Sequence, residues 1–89
     1  MKVLGLDFEA TGLDTNTDRP VEVGVCLWET DTNKPLLMFS TMIYDRAIGQ
    51  KFTPEVSKML RDICDISEEE LVAYGVHPKE AMQKVVDII

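Results

Sequence analysis

The chain is poor in the residues that carry soft-metal and redox chemistry. It has one histidine, His77, and two cysteines, Cys26 and Cys64, which lie far apart. They make neither a zinc-ligand spacing nor a disulfide framework, and are expected to act as small apolar core residues. Basic residues are few as well: 9 against 16 acidic ones, a formal charge of −7. That balance disfavours tight, sequence-independent binding along a phosphate backbone, although a grip on a strand end alone tolerates it. There is no long apolar run and no basic-then-apolar leader after Met1, so neither membrane insertion nor secretion is expected, and a cytoplasmic protein is the default. What is present, 89 residues that are 45% hydrophobic and 28% charged, suits one soluble globular domain with a modest core.

Against this background one stretch stands out, Gly5-Leu6-Asp7-Phe8-Glu9-Ala10-Thr11-Gly12-Leu13. Met1 to Phe8 is mostly apolar and is bounded by Thr11-Gly12, the pattern of a short buried strand feeding a turn. Side chains alternate along a strand, so Asp7 and Glu9 share one face and Phe8 points to the other. Two ionised carboxylates beside an apolar core need a proton, a cation or a metal, and no Lys or Arg lies between Val3 and Asp18. Hard oxygen donors favour Mg²⁺ or Mn²⁺, and two such ions can stabilise both the attacking and the leaving oxygen of a phosphodiester. The competing reading is a pair of solvated acids at a strand end before an ordinary turn.

The longer pattern Asp7-Phe8-Glu9-Ala10-Thr11-Gly12-Leu13, followed by Pro20-Val21-Glu22-Val23-Gly24-Val25, resembles the first motif of the DEDD 3′–5′ exonucleases. That family includes the proofreading exonucleases and has a ribonuclease H-like fold. The resemblance implies that Asp7 and Glu9 are catalytic metal ligands in a two-ion Mg²⁺ or Mn²⁺ site. It also implies that Thr11 and Gly12 receive the 3′-terminal nucleotide and that Leu13 packs on its base. The implied substrate is a nucleic-acid 3′ end, DNA ahead of RNA, with release of nucleoside monophosphates.

The remaining sequence reads as sheet, then helices. Asp14 to Pro20 is a polar loop; Asp14, Asn16 and Asp18 imitate the start of a calcium loop, but Arg19 and Val25 occupy its Gly and Glu positions, so calcium is rejected. Val21 to Glu29 is a second strand, with Val21, Val23, Val25 and Leu27 on one face and Glu22 on the other as a residue paired to a neighbour. Thr30 to Pro35 is a hairpin-like connection and Leu36 to Tyr44 a third strand, giving an antiparallel meander. Asp45 to Phe52 reads as a loop.

Three helix signals follow. Thr53-Pro54-Glu55 starts one, with Val56, Met59, Leu60 and Ile63 as its apolar stripe. Ser67 and Glu70 have capping-box spacing and Gly75 is a stop, so Glu68, Glu69 and Glu70 are helix-start acids rather than a metal cluster. His77-Pro78 starts the last helix, with Ala81, Met82, Val85, Val86 and Ile89 on its apolar face. A general-base role for His77 is disfavoured, because Met82 stands where the family's late histidine motif has an acid.

The expected fold class is therefore α/β and ribonuclease H-like: three antiparallel strands followed by helices, the front half of a mixed sheet. Residues 1–89 correspond to the N-terminal portion of a single exonuclease domain, truncated before its second motif, and are expected to be inactive alone. The first strand then keeps an open edge for a homodimer or a partner chain. Two alternatives stand beside the enzyme: a non-catalytic module that recruits a partner through that edge, and, on charge alone, a nucleic-acid mimic.

Overall fold

The computed structural model describes residues 1–14, 16–47 and 52–89. Thr15 and residues 48–51 lie outside them, and with the latter, half of the loop expected over Asp45–Phe52. Three strands, β1 (Lys2–Ala10), β2 (Pro20–Glu29) and β3 (Lys34–Met42), precede three helices, α1 (Pro54–Cys64), α2 (Glu68–Tyr74) and α3 (Pro78–Ile88). The sheet is antiparallel in the order β1-β2-β3, so the chain is of the α/β class, with an antiparallel three-stranded sheet followed by helices. Among the described residues no helix is long and apolar enough to cross a membrane.

Alternation in β2 organises the core. Val21, Val23 and Val25 are buried, and they divide between two clusters. Val23 and Val25 pack with Ile43, Ala81 and Val85 under α3. Val21 joins Tyr44, Leu60, Ile66 and Leu71 under α1 and α2. The connection between α2 and α3 is pinned to the sheet by a parallel bridge of Ile43 with Val76, through Tyr44 N–H to Val76 O at 2.9 Å and Val76 N–H to Met42 O at 3.0 Å.

The helix signals correspond to real caps. Thr53 Oγ1 accepts from Val56 N–H, Ser67 Oγ accepts from Glu70 N–H, and His77 Nδ1 accepts from Lys79 N–H. His77 is thus a capping residue, as its place before Pro78 suggests. The C-terminus of α2 has no basic residue of its own; instead Arg46 donates to Gly75 O at 2.7 Å and to Val72 O, satisfying carbonyls that the helix leaves open.

Several expectations are corrected. The first strand is not buried: Leu6 is 50% and Phe8 45% exposed, because among the described residues β1 is paired on one side only and α3 covers it only in part, packing against Leu4. The third strand starts at Lys34, ahead of Leu36, and ends at Met42. In α1, Ile63 is 76% exposed. Asp65 then takes a left-handed conformation with its N–H on Leu60 O, the chain reverses, and Ile66 fills the core instead. In α3, Ala81 and Val85 face inward but Met82, Val86 and Ile89 are exposed, so the expected apolar face is only half covered.

Candidate metal and nucleic-acid site

Asp7 and Glu9 sit near the C-terminal end of β1 on the sheet face opposite Val23 and Val25. Register decides their neighbours: Asp7 lies across from Gly24, and Glu9 directly across from Glu22. Directly opposed side chains in an antiparallel pair have Cβ atoms roughly 4.5–5.5 Å apart. The neighbour of Glu22 is thus a second carboxylate. Burial first, then the charges of Glu9 and Asp7, push the Glu22 carboxyl above its usual value of 4.5.

The sign of this shift fixes a pH dependence. A carboxyl whose pKa is higher in the folded state favours folding when protonated, and that contribution is lost as pH rises through the raised value. Glu22→Gln is therefore expected to stabilise the chain at pH 7 by roughly 0.2–1 kcal/mol, the scale of a like-charge cross-strand pair. The gain should vanish as pH falls through the raised value to 4.5. Thermal melts of the two proteins from pH 7 to pH 4 would measure it, and a difference that ignored pH would remove the charge explanation.

Cys64, at the last residue of α1, donates its thiol to Glu9 Oε2 at 3.3 Å. Both cysteines are half-buried and free; Cys64 packs against the Val21–Leu60–Leu71 cluster, in keeping with the small core residue expected, and is at the same time a polar neighbour of the acid pair. Burial, this hydrogen bond, and the charges of Glu9 and Glu22 raise its thiol above the ordinary value. Glu9→Gln should lower it again and speed reaction with a disulfide reagent at pH 8 severalfold, since the thiolate is the reacting form. Unchanged kinetics would show that the contact carries no weight.

The floor beside Asp7 is shallow and made of small residues. Gly5, Gly24, Cys26, Met38 and Ser40 line with Asp7 a depression of about 530 Å³ on this face. No cation lies within ion-pair distance of Asp7, Glu9 or Glu22 among the described residues. Asp7 and Glu9 fit hard divalent ions in donor type and in lacking any other counter-charge. They do not complete a set: among the described residues no group of three or more His, Cys, Asp or Glu is arranged to hold a metal.

The Thr11-Gly12-Leu13 turn is built by a residue that the sequence did not single out for it, Asp18. Its carboxylate accepts from Thr11 Oγ1 at 2.9 Å and from Asp14 N–H at 2.8 Å. Thr11 Oγ1 in turn accepts from Arg19 N–H at 2.9 Å. The same carboxylate packs onto Gly12 so closely that a Cβ there would overlap it, so a larger residue at this position would displace the Asp18 carboxylate from the turn. Asp14 and Asp18 thus serve the loop's own hydrogen bonds. Leu13 is fully exposed and lines, with Phe8, Arg19 and Pro20, a second groove of about 280 Å³. Neither Asp7 nor Glu9 lines that groove, so the structure joins the two acids to each other and Leu13 to Phe8.

Comparison of the sequence with protein-family models and with curated proteins finds no match.

Proposed function

We propose that the chain is the metal-binding front part of a ribonuclease H-like 3′–5′ exonuclease of the DEDD type. The observation that carries this reading is the placement of Asp7 and Glu9 on one face at the end of β1, immediately before the Thr11-Gly12 turn and without a cationic partner among the described residues. Asp7 and Glu9 would hold Mg²⁺ or Mn²⁺, with further oxygen donors from outside these residues. A metal held there by Asp7 and Glu9 would supply charge stabilisation for cleavage of a terminal phosphodiester. Thr11, Gly12 and Leu13 receive the 3′-terminal nucleotide of DNA, or of RNA, and the cytoplasm is the working compartment.

Titration with Mg²⁺ and Mn²⁺, followed by release of mononucleotides from 3′-labelled single-stranded DNA and RNA, tests the reading. The expected result for the 89 residues alone is weak metal binding without release. Metal-dependent release would show that an oligomer completes the site. Absence of any metal binding, with Asp7→Ala indistinguishable from the parent, would overturn the proposal.

A second reading has its own observation. Among the described residues β1 pairs with β2 alone, and this open edge suits a non-catalytic module that recruits a partner by strand addition.

A further inference from the structure

The free edge of β1 has a definite hydrogen-bonding register. Thr30 N–H donates to Met1 O at 2.9 Å, which makes Met1 and Thr30 a hydrogen-bonded pair. Pairs of that kind alternate along an antiparallel ladder. The odd-numbered residues of β1 therefore spend their backbone groups on β2, while Lys2, Leu4, Leu6 and Phe8 turn theirs outward.

The two faces beside this edge differ in chemistry. Leu4, Leu6 and Phe8 lie across from Leu27, Val25 and Val23, on the side that α3 covers only in part. In α3, Lys84 leans over the Phe39 ring of β3 at 5.8 Å. At 100° per residue this puts Met82 and Val86 on the opposite flank, toward the β1 side, where they are exposed. The other face presents Asp7 and Glu9, with Glu22 behind them.

The opposite edge of the sheet is more heavily protected than β1, which has a lysine, Lys2, at its start and a register shift only at its end, between Glu9 and Ala10. β3 carries Lys34 and Pro35 at its start, faces an irregular register at Leu27/Trp28, and is followed at once by the Ile43–Val76 bridge. Charge, proline and bulges are the usual means of blunting an edge. β1 has no proline, and its register stays regular from Lys2 to Glu9.

From this we infer that β1 is a docking edge for an extended partner segment in which apolar residues alternate with lysine or arginine. The apolar positions lie against Leu4, Leu6 and Phe8, and the cations lie against Asp7 and Glu9. A second copy is the poorer occupant: it would bring two further acids to the same face and join two chains of charge −7. The inference rests on the second reading, recruitment through the open edge, and not on hydrolysis.

The test uses three nine-residue peptides with valine alternating with lysine, serine or glutamate, titrated into the ¹⁵N-labelled chain at low salt. The valine–lysine peptide is expected to shift the Leu4, Leu6 and Phe8 amides and to bind about tenfold tighter than the serine peptide. This advantage should shrink with added salt, and the glutamate peptide should be weakest. Leu6→Pro removes an outward N–H without touching the β2 ladder and should abolish binding. Asp7→Asn with Glu9→Gln, which leaves the backbone intact, should equalise the lysine and serine peptides.

Equal binding of those two peptides to the parent chain would overturn the cationic partner while leaving edge recruitment standing. No binding by any peptide would overturn edge recruitment itself. Concentration-dependent dimerisation through the same amides would replace the partner with a second copy.

Discussion

Asp7→Ala is expected to lower mononucleotide release by about a thousandfold in any assembly of this chain that turns over, the scale of losing about 4 kcal/mol of transition-state stabilisation. The fold should survive. Asp7 is exposed on an edge strand, faces Gly24, and contributes a repulsive charge to the Glu22 environment, so its removal costs no packing. Glu9→Ala should match the loss of turnover but also strips Cys64 of its acceptor. Release assays paired with thermal melts separate the two effects. Parent-like turnover in either variant with Mg²⁺ would end the metal-ligand assignment, and unfolding of Asp7→Ala would contradict its exposed place.

Gly75→Ala should be among the most damaging single substitutions to stability. Gly75 ends α2 with φ −63°, an ordinary value, so its need for glycine is not conformational. Space is the reason: a Cβ there would stand 2.5 Å from Leu71 O and 2.5 Å from Tyr44 Cβ. Leu71 O already receives Gly75 N–H at 2.8 Å, and Tyr44 N–H holds Val76. Relief therefore means breaking either the end of α2 or the bridge that ties it to the sheet. A loss of about 3 kcal/mol is expected, a large share of the roughly 5–15 kcal/mol that holds a domain together. Gly5→Ala is the control, since its Cβ would meet Cys26 O at 3.8 Å, an ordinary contact. Urea denaturation of the two variants would show a large and a small loss; equal midpoints would refute the steric account.

Local signals carried most of the element assignments. Thr53-Pro54, Ser67 with Glu70, and His77-Pro78 mark helix starts because capping depends on the next three residues only. Alternation in Val21-Glu22-Val23-Gly24-Val25 marks a strand with one buried face for the same reason: its period is local. Asp7 and Glu9 on one face follow from that period as well.

Tertiary structure decided what those residues meet. That Glu22 faces Glu9 depends on strand register, and that Cys64 reaches Glu9 depends on where a helix 55 positions later ends. Asp18 closes the Thr11-Gly12 turn through contacts 7 residues apart in a loop without periodicity. Ile63 and Ile66 exchange roles because the left-handed Asp65 reverses the chain, and the apolar side chains of β1 stay exposed because a single neighbouring strand and a partly overlying helix cannot cover them. Sequence by itself determined local periodicity, caps and the paired acids. Register, chain reversal and coverage belong to the packed structure, because each depends on residues that no local pattern brings together.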